Sequence, residues 1–246
     1  GHAMWRRYTH LDPRGNLLHE QAAALAALRR GGDVRKSHYD HDAGRFTVPL
    51  LLRPSDFVAI VGLHPFYLPS QRQLLELKVF VDPLEDLRRD WKVSRDMAKR
   101  GYTREQVIAQ MEQRAEDSLK YVRPQIKYAD LVIRQRKNST DPTDVDMEIE
   151  LATTLDPLAF LSALEAFDQL ELDWKPDEGL NRDRISIVGP VSKEQVAALI
   201  QALIPNSEEL VHEGQVLEGG RGLAVAAVLH AISTRLRHPL STVEVA

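Results

Sequence analysis

From Trp5 to His19 the apolar positions keep no period, and Asp12-Pro13 and Gly15-Asn16 are turn pairs, so the pattern predicts a loop. Leu18, Ala22, Leu25 and Leu28 then recur at helical spacing before a Gly31-Gly32 stop, which predicts an amphipathic helix over 17–30. Three short apolar runs follow: Phe57 to Val61, Lys78 to Asp82, and Asp130 to Ile133. Continuous rather than alternating apolar character suits strands covered on both faces. Helical stretches lie between them, over 69–76, 84–99 and 103–121. Strands separated by helices predict an α/β layer with a mostly parallel sheet. Leu87, Trp91 and Met97 are expected to pack inward from the second of these helices.

The grammar changes after Lys137 to Asp144, a run rich in Asn, Ser, Thr, Asp and Pro that reads as a linker. Strands are predicted over 145–154, 169–174 and 184–188, with a helix over 158–167. Ser192 with Gln195 three residues later has the form of a capping box, and a last helix is predicted from Leu223 to Arg237, before His238-Pro239. The expected organisation is a vector-derived leader over 1–4, one domain over 5–136 and a small α+β region over 145–246.

Composition narrows the classes. A chain of 246 residues can bury one large core or two small ones. With no cysteine, disulfides, thiolate metal sites and cysteine nucleophiles are excluded, and the cytoplasm is the default location. A net charge of -4 argues against a nucleic-acid partner held by counterion release. The longest apolar stretches fall far short of the ~20 residues of a membrane span, so no membrane partner is expected.

The stretch richest in chemistry runs from Trp91 to Tyr102. On a helix Lys92, Arg95 and Lys99 are three and four apart and share a face, with Arg88 one turn earlier. Such a face can hold a dianion, because Arg offers planar two-point donors and Lys a compact charge. The same spacing also suits a solvated face carrying an Arg-Asp pair. Gly62-Leu63-His64-Pro65 places a turn after the 57–61 run, at the end of a strand where α/β proteins put their sites. His38-Tyr39-Asp40-His41-Asp42 is dense in ligand atoms but has no companion cluster at metal-like spacing, so no metal ligand is assigned. Asp12 and Asp82 are site carboxylates in form, with turn and capping roles as the alternative.

These motifs, in this order, resemble the phosphoribulokinases and, more distantly, the uridine kinases. The resemblance rests on Tyr8 to Pro13, Lys36 to His41 with Gly44, Gly62 to Pro65, Trp91 to Asp96 with Arg100-Gly101, Arg123-Pro124-Gln125, and Ala129 to Val132. It implies a P-loop-kinase-like three-layer fold, incomplete at the N-terminus, and ATP-dependent phosphorylation of a sugar phosphate or nucleoside hydroxyl, with ATP and Mg2+ as the family's cofactors. It also implies that Arg95 and Arg100 bind the substrate phosphate and that Lys92 acts on the transferring group. His64, His38, Tyr39 and His41 fall on the substrate side.

Two departures bear on activity. The family's phosphate loop, Gly-x-x-x-x-Gly-Lys-Ser/Thr, does not precede Trp5, and Val61 stands where the family carries a magnesium-facing glutamate. Gly214 to Gly222 has two glycines five apart, but Gly220-Arg221 replaces Lys-Ser/Thr; it reads as a flexible loop whose helix start leaves room for an anion beside Arg221. The expectation is a family member lacking the N-terminal loop and inactive as this chain. The alternative is a non-catalytic protein that binds a sugar phosphate or nucleotide and regulates or scaffolds. Loss of a central strand would expose sheet edges, so a homo-oligomer is expected.

Overall fold

The computed structural model describes residues 8–40, 45–138, 145–179, 181–207 and 216–239. They fall into two compact units, the first comprising residues up to 76 with 105–128, the second 77–104 with everything from 129 onward. The first begins with α1 (Leu18–Arg29), whose Leu18, Ala22 and Leu25 are buried at the predicted spacing. Two small antiparallel ribbons follow: β1 (Val34–Lys36) pairs with β4 (Leu50–Leu52), and β2 (Tyr39–Asp40) pairs with β3 (Arg45–Phe46). α2 (Pro69–Arg72) is shorter than the predicted 69–76 helix and lies against α1.

The predicted strand at Phe57 to Val61 is absent: these residues have no regular structure and Val61 is 93% exposed. An apolar run becomes a strand only when a partner supplies its ladder, and none pairs with it among the described residues.

The chain enters the second unit with β5 (Val79–Pro83) and α3 (Glu85–Arg100). It returns to the first through α4 (Arg104–Gln113), α5 (Ala115–Asp117), a π-helical turn over Ser118–Val122 and a 3-10 stretch over Arg123–Tyr128. The remaining elements complete the second unit: β6 (Leu131–Lys137), β7 (Val145–Ala152), α6 (Pro157–Leu164), β8 (Glu171–Lys175), β9 (Arg182–Val188), α7 (Lys193–Leu203) and α8 (Gly219–Arg237).

The five-stranded sheet has the order β5-β6-β7-β9-β8. The α/β class is as expected, but the sheet is mixed rather than mostly parallel: β5–β6 is parallel, and β6–β7, β7–β9 and β8–β9 are antiparallel. The step from Lys137 to Val145 is too short for a parallel crossover, which needs a dozen residues or more. It joins neighbouring strands of one sheet, so the predicted linker does not part 5–136 from 145–246.

Alternation decides the two faces. Leu131, Ile133, Met147, Ile149, Leu151, Ile185 and Ile187 form a core with Phe160 and Leu164 of α6, Val196 and Leu199 of α7, and Leu223, Ala226 and Ala227 of α8. The opposite face carries charge: Arg134 lies across from Glu148, and Glu150 across from Arg184. Such in-out alternation suits antiparallel strands with one polar face.

The capping box at α7 is realised, with Gln195 N donating to Ser192 Oγ at 3.3 Å and Ser192 N donating to Gln195 Oε1 at 2.9 Å. α8 starts earlier than predicted. Gly214 and Gln215 lie outside the described residues, while Gly219 to Gly222 form the first turn of the helix rather than a loop. The Gly219 and Gly222 amides donate to Val191 O and Glu218 O. These glycines permit close packing: a Cβ on Gly220 would sit 2.5 Å from Val145 O, and one on Gly222 would sit 2.2 Å from Leu217 O. Gly220→Ala should therefore lower stability by about 2 kcal/mol, an overpacking cost that exceeds the helix propensity gained. Urea unfolding checks this; a midpoint at or above the wild-type value would contradict it.

Candidate functional site

α3 forms where the sequence predicts it, with Glu85 and Asp86 in its first turn and Lys99 and Arg100 in its last, each favourable to the helix dipole. Gly101 closes it in the left-handed region, at φ 66°. Leu87 and Val93 are buried, but Trp91 and Met97 stand exposed, against expectation. The third buried residue of the helix is Asp96, a carboxylate.

Asp96 organises the cations. Lys92 Nζ lies 2.6 Å from its Oδ2, Arg95 Nε 2.9 Å from its Oδ1, and Arg100 Nη1 3.5 Å from the same Oδ1. Burial alone would push this carboxyl up, but hydrogen bonds and charge from Arg95 and Lys92 outweigh it and hold the group below the usual carboxylate range. Arg88 is engaged by Glu85 at 2.7 Å and takes no part. One buried anion thus gathers three cations. Arg95 and Arg100 remain 52% and 47% exposed, so the guanidinium donors not spent on Asp96 face solvent. That arrangement can receive a phosphate by two-point hydrogen bonds. The chemistry of Asp96 was not assigned from the sequence, although its spacing of four from both Lys92 and Arg100 was there to read.

In the first unit His64 is buried, and neither ring nitrogen has a hydrogen-bond partner among the described residues. Burial pushes it below the ordinary histidine value, while the His10 backbone and the Asp12 charge pull the other way without reaching hydrogen-bond geometry at the ring. Its turn is braced by Gln125, whose Oε1 accepts from Phe66 N at 3.0 Å and whose Nε2 donates to Leu63 O at 2.8 Å. Gln125 is a positioning residue that sequence reasoning quoted only as part of a motif.

His38 is exposed, with Nδ1 3.1 Å from Thr47 Oγ1. The Tyr39 backbone belongs to β2; the Tyr39 side chain and all of His41 lie outside the described residues. Asp12 takes the capping role, accepting from Arg14 N at 2.9 Å, and Asp82 pairs with Arg134 at 3.4 Å. A cavity of about 520 Å³, lined among others by Asn16, Gln21, Arg35, Lys36 and Phe46, was not anticipated.

A second buried histidine lies in the other unit. His230 Nε2 is 2.8 Å from Leu155 O and 3.1 Å from Asp156 O, and burial lowers its pKa as it does that of His64. Both are harder to protonate folded than unfolded, so acid favours the unfolded chain, and their stability contribution shrinks as pH falls from the ordinary value of 6.5. Urea midpoints should be lower at pH 5.5 than at pH 7.5, and His230→Gln should narrow the gap. An unchanged gap would contradict this.

A mixed sheet flanked by helices, one of them presenting clustered cations, defines the class as an α/β protein. The sequence profile of the Phosphoribulokinase / Uridine kinase family matches residues 2–141, and the chain belongs to that family. It is 33% identical over 174 residues to a phosphoribulokinase of Synechocystis sp., an alignment covering 68% of this chain and 51% of that protein. It is 32% identical over 177 residues to the chloroplastic phosphoribulokinase of Arabidopsis thaliana, covering 70% and 44%. A uridine kinase-like protein of the same plant is 30% identical over 115 residues, covering 45% and 24%. The chain thus spans about half the length of the phosphoribulokinases it matches. The solved phosphoribulokinase from Rhodobacter spheroides shares the fold, with a TM-score of 0.57 at 18% identity over 91% of this chain and 77% of that one.

The family implies ATP and Mg2+ as cofactors, and Val61 does not fit the metal. Val61 offers no oxygen where the resemblance places a magnesium ligand, and among the described residues no three His, Asp or Glu side chains are grouped to hold a metal. Among the described residues no helix is long and apolar enough to cross a membrane.

Proposed function

We propose that this chain binds a phosphorylated sugar or nucleoside on the α3 face and does not itself complete the family's ATP-dependent phosphorylation. The observation that carries the reading is the convergence of Lys92, Arg95 and Arg100 on buried Asp96. Arg95 and Arg100 grip the phosphate in two-point fashion, and Lys92 stands where it offsets charge on a transferring group. By the family resemblance, His64, His38, Tyr39 and His41 are read as residues of the substrate side.

Thermal melting with added ligand tests it, since a ligand that binds only the folded chain raises its melting temperature. Ribulose 5-phosphate should raise Tm, and ATP with Mg2+ should leave it unchanged. ADP release that depends on Lys92 would overturn the inactive part of the reading.

Val61 favours a second reading, in which the chain is a regulatory or scaffolding relative that uses the same phosphate grip to sense a metabolite. Its route to partners is the sheet, whose order ends at β5 and β8, with Val81 and Trp174 exposed on those strands. A homo-oligomer is the expected assembly, and sedimentation as a stable monomer would overturn it.

A further inference from the structure

We propose that a cationic, tyrosine-lined notch in the first unit is a binding site for a small phosphate monoester, built from residues other than those of the α3 face. The notch measures about 120 Å³ and is lined by Tyr67, Arg72, Lys120, Tyr121, Lys127 and Tyr128, with no Asp or Glu among its lining residues. Its space admits a phosphoryl group and leaves the organic part in solvent.

The cations are held by ring faces rather than by acids. Arg72 Cζ lies 3.6 Å from the Tyr128 ring centroid, Lys127 Nζ 4.9 Å from the same centroid, and Lys120 Nζ 5.2 Å from that of Tyr121. Arg72 Nη1 donates to Phe66 O at 2.7 Å and to Tyr67 O at 3.2 Å, which fixes the guanidinium plane. Asp12 is the carboxylate whose charge reaches Lys120, and it is already engaged by Arg14 at 2.6 Å. Three like charges around one small space repel, and ring faces offset that only in part. A dianion with three acceptor oxygens resolves the repulsion: the Arg72 fork takes two oxygens, and the lysines supply point charges. A carboxylate, with one charge and two oxygens, would occupy Arg72 and leave both lysines unmet.

Occupancy would be felt at the His64 turn. The Tyr67 ring meets Tyr121 edge-on at 6.3 Å and His64 at 5.9 Å, and Gln125, which also borders the notch, bonds the backbone on both sides of His64.

Titration of ring-labelled protein with inorganic phosphate, followed by NMR and matched in ionic strength with sodium chloride, tests the site. Resonances of Tyr67, Tyr121, Tyr128 and His64 should shift saturably with phosphate and not with chloride. Lys120→Gln with Lys127→Gln, at two exposed positions, should weaken the tyrosine response at least tenfold without moving Tm. Arg95→Gln should leave that response intact, which separates this site from the α3 face. Absence of saturable tyrosine shifts, or shifts that vanish in Arg95→Gln and persist in the double lysine variant, would overturn the proposal.

Discussion

Asp96→Asn should cost about 2 kcal/mol of stability and weaken binding of a phosphate ester at least tenfold. The wild-type carboxylate is buried and accepts charge-assisted hydrogen bonds from Lys92 and Arg95, each worth roughly 1.5–3 kcal/mol in such settings. An Asn keeps the shape and loses the charge, so three cations face one another with nothing between them. The arginines then turn outward into water, and the preorganised two-point grip is lost. Added salt should recover part of the stability by screening the repulsion. Because Asp96 is more acidic folded than unfolded, its contribution is present above the ordinary value of 3.8 and disappears as pH falls through its lowered folded value. Urea unfolding and calorimetric titration of Asp96→Asn check both effects, and wild-type stability with wild-type binding would refute the role given to this residue.

Glu150→Gln should be the most damaging change in the second unit, at about 3 kcal/mol. Glu150 lies on the charged face of β7, where it pairs with Arg134, with Arg184 at 2.9 Å and with Arg182 at 3.5 Å. Burial alone would raise its pKa, and Arg134 followed by the other arginines draws it back below the usual range. Removing the anion breaks a buried pair, which is costly, and leaves Arg134 and Arg184 to Glu148 at 2.9 and 3.6 Å. Some relief comes from Arg184, which is half-exposed. The comparison is Asp173→Asn: its pair with Lys175 at 2.8 Å is exposed on both sides and should contribute under about 1 kcal/mol. Equal unfolding midpoints for the two variants would contradict the network's importance.

How much of this was legible in the sequence depends on what each signal measures. Local signals carried well: the Leu18, Ala22, Leu25 spacing gave α1, Ser192 with Gln195 gave the start of α7, and Lys78 to Asp82 with Asp130 to Ile133 gave the parallel pair β5–β6. Pairing partners were not local. Phe57 to Val61 has the composition of a strand and pairs with no strand among the described residues, because composition reports burial tendency and not the neighbour that completes a ladder. The antiparallel part of the sheet was encoded in Met147, Ile149 and Leu151 alternating with Glu148 and Glu150, a period of two that marks one covered and one charged face.

The site shows the same division. Helical spacing placed Lys92 and Arg95 together, with an Arg-Asp pair on a solvated face as the alternative, yet sequence alone does not reveal that an Asp within a charged run is buried. Lys99 was expected on the shared face, and Arg100 takes the place at Asp96 instead. Gly214 to Gly222 read as a flexible loop with room for an anion because glycine permits both close approach to a ligand and close approach to another strand. Only the position of Val145 distinguishes the two.

Calorimetric titration of ribulose 5-phosphate into the wild-type chain and into the Arg95→Gln, Arg100→Gln double variant reaches the centre of this account. The variant keeps Lys92 on Asp96 at 2.6 Å but loses the Arg95 bond, so its Tm should fall while the chain stays folded, and its affinity should fall roughly 100-fold, the equivalent of two charge-assisted hydrogen bonds. A variant that binds the ester as tightly as the wild type would show that the α3 cations are a solvated surface and no grip.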